Sequence, residues 1–137
     1  MRLISLLLIS APALFSQPKI PLAVSADDPK LFRYFFESPI PTAIAINPTD
    51  SPRFVSAFQT TNRNLAALEQ YRQKYLALML GEHKRPDPKT LSGFEASKNL
   101  EGVAGTYRMR RTLSPQGWQQ VRTHVNTVFL PSLNPGH

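Results

Sequence analysis

Hydrophobic positions recur along this chain at helical rather than strand spacing. Phe54, Phe58, Thr61, Leu65, Leu68, Arg72, Tyr75 and Met79 follow one another in alternating steps of four and three, on one face of a long helix. Ala57, Tyr71 and Leu78 widen that stripe. Asp50 or Ser51 is the predicted cap, Pro52 falls in the first turn, where its missing N–H costs nothing, and Gly81 is the predicted stop. Three weak helix formers, Thr60-Thr61-Asn62, mark a place where this helix could break.

Downstream, a second long helix is predicted to begin near Thr90 or Ser92. Ala96, Leu100, Val103 and Tyr107 share one of its faces at helical spacing. Val103, Gly105, Tyr107, Met109 and Leu113 also alternate with polar residues at period two, so 103–113 reads as helix or strand. Helix is preferred because its neighbours are helical and no partner strand is evident. Ser114 then caps a last helix with Pro115 at its first position, and Trp118, Val121, Val125 and Val128 form its apolar stripe, with Trp118 as a core anchor. Pro131 is expected to end it.

Prolines set the organisation. Eight of the 13 lie within the first 52 residues, and the later ones leave long proline-free windows for helices. Within the Pro-rich stretch, Asp27/Asp28-Pro29 followed by Leu31, Phe32, Tyr34, Phe35 and Phe36 predicts a short capped helix too aromatic to stay in water. Pro39-Ile40-Pro41 ends it, and 42–47 is expected to be extended or a short edge strand. The predicted architecture is mainly α, a small bundle of three or four helices with a Pro-rich, partly extended N-terminal segment.

The N-terminus changes where that bundle is expected to work. Arg2 precedes Leu3–Phe15, an apolar run too short to span a membrane and suited to a secretory signal. Cleavage is expected after Ser16, with Val24-Ser25-Ala26 offering a second site. The organisation then reads 1–16 signal peptide, 17–50 Pro-rich lead-in, 51–131 helical domain and 132–137 tail. The expected location is periplasmic or secreted, with no transmembrane span.

Composition narrows the chemistry. With no Cys among 137 residues, thiol catalysis, disulfides and Cys-ligated metal sites are excluded. His124 and His137 have no His, Asp or Glu at helical ligand spacing, and His83 has only Asp87 at i+4, across Pro86 in a predicted loop; the serines lack a nucleophile elbow, and no carboxylate pair is suggested by spacing. Asp27 and Asp50 read as caps, and Glu69 as the partner of Arg72 or Lys74 on a solvated face. Gly102-Val103-Ala104-Gly105 reads either as a GxxG nucleic-acid clamp or, preferably, as a small-residue patch between close helices. No enzyme activity and no cofactor are expected.

What remains is charge. Sixteen Lys and Arg face nine Asp and Glu, for a net +7. His83-Lys84-Arg85 with Lys89 forms one basic group, Arg108 with Arg110 and Arg111 another, and Arg108 and Arg111 share a helix face. Lys84, Arg85, Arg108 and Arg111 are therefore the candidate anion contacts. Export disfavours nucleic acid as their target and favours an anionic polymer or lipid of the envelope.

Leu113-Ser114-Pro115-Gln116-Gly117-Trp118-Gln119 resembles the LTxxQ helix-start motif of Spy/CpxP-type periplasmic proteins, small helical chaperones or stress sensors. Gly117 stands where that motif has Gln, and there is no second copy, so the family is not assigned. The functional expectation is an exported, non-catalytic binding or structural protein of the cell envelope. The alternative is a periplasmic chaperone-like or anionic-polymer-binding module. Its partner is an envelope protein or an anionic envelope polymer.

Overall fold

The computed structural model describes residues 29–133. The expected signal segment, both cleavage points, Asp27, Asp28 and the chain after Leu133 lie outside the described residues. The elements run α1 (Pro29–Glu37), α2 (Ser51–Gly81), α3 (Pro88–Thr112) and α4 (Pro115–His124), then a π-helical turn (Val125–Phe129) and a final short helix, α5 (Leu130–Ser132). No strand occurs among the described residues, as a mainly α bundle requires.

α1 is the centre of the core. Leu31, Phe32, Phe35 and Phe36 are all buried, each worth about 1.5–3 kcal/mol against leaving it in water. Phe35 meets Phe58 of α2 edge-on at 5.2 Å and Phe129 at 5.4 Å, while Phe32 lies against Trp118 at 5.4 Å. Trp118 is thus a half-buried wall of the core. Residues 42–47 make no strand, and Ile40, Ile44 and Ile46 pack against the core from an irregular segment.

α2 is unbroken through Thr60-Thr61-Asn62. The hydroxyls of Thr60 and Thr61 donate to the Ser56 and Ala57 carbonyls at 3.0 Å each, and Asn62 Nδ2 donates to the Phe36 carbonyl at 2.7 Å. These side chains are satisfied without taking bonds from the helix. The apolar stripe points inward, Phe54, Phe58, Thr61 and Leu65 being buried with Ala57. Tyr71 and Leu78 do not widen it; they are exposed. Gly81 is the last helical residue, and the left-handed position falls two residues later on His83 (φ 55°). There the N–H groups of His83 and Lys84 close back on the Leu80 and Met79 carbonyls, in the arrangement that glycine usually makes.

α3 departs most from expectation. It begins at Pro88, capped by Asp87, and stays helical through Thr112, which makes 103–112 helix, with Leu113 its extended C-cap. Its buried residues are Lys98, Gly102, Gly105 and Met109. The stripe Ala96, Leu100, Val103 and Tyr107 therefore does not enter the core; Leu100 and Tyr107 are 69% and 60% exposed. Close approach is the reason. A Cβ on Gly102 would lie 2.6 Å from Arg33 Cβ and 2.9 Å from Arg33 Cα. One on Gly105 would meet Thr61 at 2.5 Å. The two glycines let α1 and α2 press against the α3 backbone, so the GxxG is a packing patch and unavailable as a clamp.

Ser114 caps α4 as expected, its Oγ accepting from Gly117 N at 3.1 Å. Val121 and Val125 are fully buried, but Val128 is 54% exposed. The π turn shifts the register by bonding Leu130 N–H to the Val125 carbonyl five residues back. Phe129 takes the inward place instead. Pro131 has no N–H and would crowd the Thr127 carbonyl in a regular helix. A widened turn ahead of it accommodates the ring, and helix continues to Ser132.

Candidate anion-binding surface

The distribution of carboxylates decides what this surface presents. Apart from Asp27 and Asp28, the seven acids are all held by neighbours within the fold. Three of them, Glu37, Glu69 and Glu95, sit in a polar seam where α1, α2 and α3 meet. Arg33, 6% exposed, donates from Nη1 to Glu95 Oε2 at 2.7 Å and to Asn99 Oδ1 at 3.0 Å, and from Nε to Glu37 Oε1 at 3.1 Å. Lys98 donates to Glu69 and lies 3.8 Å from Glu37 Oε2, and Arg72 donates to Glu69 Oε2 at 3.2 Å. Three cations thus meet three anions, with no net charge left over.

The titration behaviour follows this geometry. Burial pushes the Glu37 carboxyl up, and Arg33 and Lys98 recover only part of that cost. Glu95 is held below the usual range by Arg33's hydrogen bonds. Burial would raise Glu69, but Lys98 and Gln73 bring it below its ordinary value. Arg33 loses through burial and gains more from Glu95 and Glu37, so it stays charged. Glu69 does pair with Arg72, as its spacing suggested, but it is enclosed rather than solvated, and Lys74 instead lies over the Tyr71 ring at 5.9 Å.

The other four acids are committed as well. Asp50 stands at the N-cap position of α2 yet gives that helix no side-chain bond. Its buried carboxylate accepts from Ser114 N at 3.0 Å, from the Ser114 hydroxyl and from Asn47 Nδ2 at 2.7 Å, which tie the α3–α4 junction to the start of α2. The Ser114 hydroxyl, then Asn47 and the Ser114 amide, hold it below the ordinary carboxylate range. A Cβ on Gly117 would strike Asp50 Oδ2 at 2.3 Å, so glycine at this position lets the carboxylate reach Ser114. Asp87 caps α3, Glu82 pairs with Lys84 at 3.1 Å, and Glu101 accepts from Arg108 at 3.3 Å and from Asn64 at 3.0 Å.

Cations are left over. Arg63, Arg85, Lys89, Arg110 and Arg111 are exposed and, among the described residues, lie in no salt bridge. The four candidate anion contacts separate into two sites. Arg108 and Arg111 line one shallow depression of about 590 Å³ with Ala104, Tyr107 and Thr112. Arg108 is partly spent inside the fold, donating to Thr61 Oγ1 at 2.6 Å, so Arg111 is the freer member. Lys84 and Arg85 lie in the loop before α3, about 30 Å away by the helix rise. Sequence spacing did not reveal Arg63; the seam's i,i+3 and i,i+4 pairs, Arg33–Glu37 and Glu69–Arg72, were its only local signal.

Among the described residues no three His, Asp or Glu side chains are grouped to hold a metal. His83 is exposed in its loop, and His124 lies against Phe35, its imidazole pulled down by burial. No helix of the described residues is long and apolar enough to cross a membrane. No protein-family model, curated protein or solved structure matches the chain.

Proposed function

We propose that this is an exported, non-catalytic helical protein of the cell envelope that binds an anionic partner through its arginine- and lysine-bearing surface. One observation carries the reading. The fold engages its described carboxylates in caps, in the α1–α2–α3 seam and in local ion pairs, while Arg63, Arg85, Lys89, Arg110 and Arg111 stay exposed outside any salt bridge. A basic excess built this way is a field that attracts polyanions and weakens with salt.

Two measurements test it. Mass spectrometry of the native protein reports export, and cytosolic material with an intact Met1 refutes that part. Retention on a phosphocellulose column across a salt series reports binding. The expected result is strong low-salt retention that falls for Arg110→Gln with Arg111→Gln at unchanged thermal stability. That pair is the cleaner choice, because removing Arg108 would also strand Glu101. Equal retention of parent and variant would refute the arginine surface.

A further inference from the structure

Resting on that reading, we infer that the outward face of α3 lies on an anionic lipid surface. The face is defined by the helix itself. At about 100° per residue, Lys89, Gly93, Ala96, Tyr107 and Arg111 all fall within about 40° of Leu100. The core-facing residues Lys98, Gly102, Gly105 and Met109 point the other way. Glu95 and Glu101 lie about 140° and 100° from Leu100 and are bound to Arg33 and Arg108. The single acid of α2, Glu69, is likewise occupied by Lys98.

The result is an acid-free strip about 33 Å long, apolar in the middle and basic at both ends. Leu100 and Tyr107 are among the most exposed large apolar side chains of the protein. Lys89 stands at one end, beside the exposed cap Asp87 and with Arg85 in the adjoining loop, where Glu82 is paired with Lys84; Arg111 stands at the other. Of the sequence-predicted anion contacts, Arg111 lies on this strip, whereas Arg108 falls about 80° to its side and is held by Thr61 and Glu101.

Charge selects the occupant. A second copy laid on this strip sets Lys89 against Arg111 if antiparallel, and like against like if parallel, so the face repels itself. A soluble polyanion would satisfy the ends and leave Leu100 and Tyr107 in water. A bilayer with anionic headgroups meets both: phosphates at the basic ends, and the headgroup–acyl boundary under the apolar middle. Tyrosine suits that depth, with an apolar ring and a polar tip.

The test uses the full chain, sedimented with vesicles of phosphatidylcholine alone or mixed with phosphatidylglycerol, beside the phosphocellulose assay. Parent protein is expected to sediment with the mixed vesicles and not with pure phosphatidylcholine. Lys89→Gln and Arg111→Gln should each weaken binding about fivefold. Leu100→Ser with Tyr107→Ser should weaken it about tenfold or more, with unchanged helicity and column retention. All variants carry the same N-terminal residues as the parent, so they differ only at the substituted positions. Variants that bind vesicles like the parent overturn the inference. A parent retained on the column but not by vesicles overturns it while leaving the broader reading intact; failure in both assays ends both. A change in solution mass of the Leu100/Tyr107 variant without lipid would assign the face to a second copy instead.

Discussion

Adding one methyl group at Gly102 probes the contact on which the fold turns. In an exposed helix, Gly→Ala stabilises by about 0.8–1 kcal/mol, because alanine loses less backbone entropy. Gly93 is the internal control: it lies in the same helix, and a Cβ there meets nothing within 4 Å. At Gly102 the same Cβ arrives 2.6 Å from Arg33 Cβ and 2.9 Å from Arg33 Cα. Ordinary carbon contacts lie at about 3.5–4.0 Å, so α1 must retreat by about 1 Å. Overpacking of this kind costs about 1–3 kcal/mol. Arg33 is also the residue that moves, and its 2.7 Å bond to Glu95 and 3.0 Å bond to Asn99 stretch with it. Hydrogen bonds to charged groups are worth about 1.5–3 kcal/mol each, and their partial loss outweighs the propensity gain. Gly102→Ala should therefore destabilise by about 2–4 kcal/mol, while Gly93→Ala stabilises by about 1 kcal/mol. Urea unfolding midpoints of the two variants measure the difference directly. If Gly102→Ala were as stabilising as Gly93→Ala, the close α1–α3 approach would be wrong.

Other substitutions test separate joints of the structure. Phe129→Ala should cost about 3 kcal/mol and Val128→Ala less than about 0.5; equal losses in thermal unfolding would contradict the register shift of the π turn. His83→Gly should stabilise by about 0.5–1 kcal/mol, since relief of the left-handed backbone exceeds the extra entropy of glycine, and a lower unfolding midpoint would argue against that geometry. Acid should unfold the protein through its depressed carboxyls. Asp50, Glu69 and Glu95 contribute stability that is present above the ordinary carboxyl pKa and lost as pH falls through their lowered values, whereas Glu37, raised by burial, is relieved by protonation. Melting temperature should thus fall below about pH 4, with a shallower slope for Asp50→Asn; a flat profile in the parent would refute the balance.

Where hydrophobic period and capping chemistry agree, the chain alone was sufficient. The four-three stripe of α2, the Ser114-Pro115 opening of α4 and the aromatic α1 were legible because each buries large apolar side chains or satisfies a local N–H. These are properties of neighbours in sequence. α3 was legible as a helix but not in its orientation. Its inner face is Lys98, Gly102, Gly105 and Met109, of which Met109 alone is a large apolar residue; small or charged residues carry no hydropathy signal for burial. Their burial depends on Arg33, Glu69 and Thr61, which come from other helices. The same holds for Asp50, a local cap by pattern, whose carboxylate is drawn away by Ser114 across the bundle. Composition established that the protein is basic; only the tertiary structure decided that Glu37, Glu69 and Glu95 meet Arg33, Arg72 and Lys98 in one seam, that Arg108 is partly spent on Thr61 and Glu101, and that Lys89 and Arg111 stand at opposite ends of one exposed helix face. Periodicity reports which side chains share a face, and the choice between core and solvent for that face is made by what the rest of the chain brings against it.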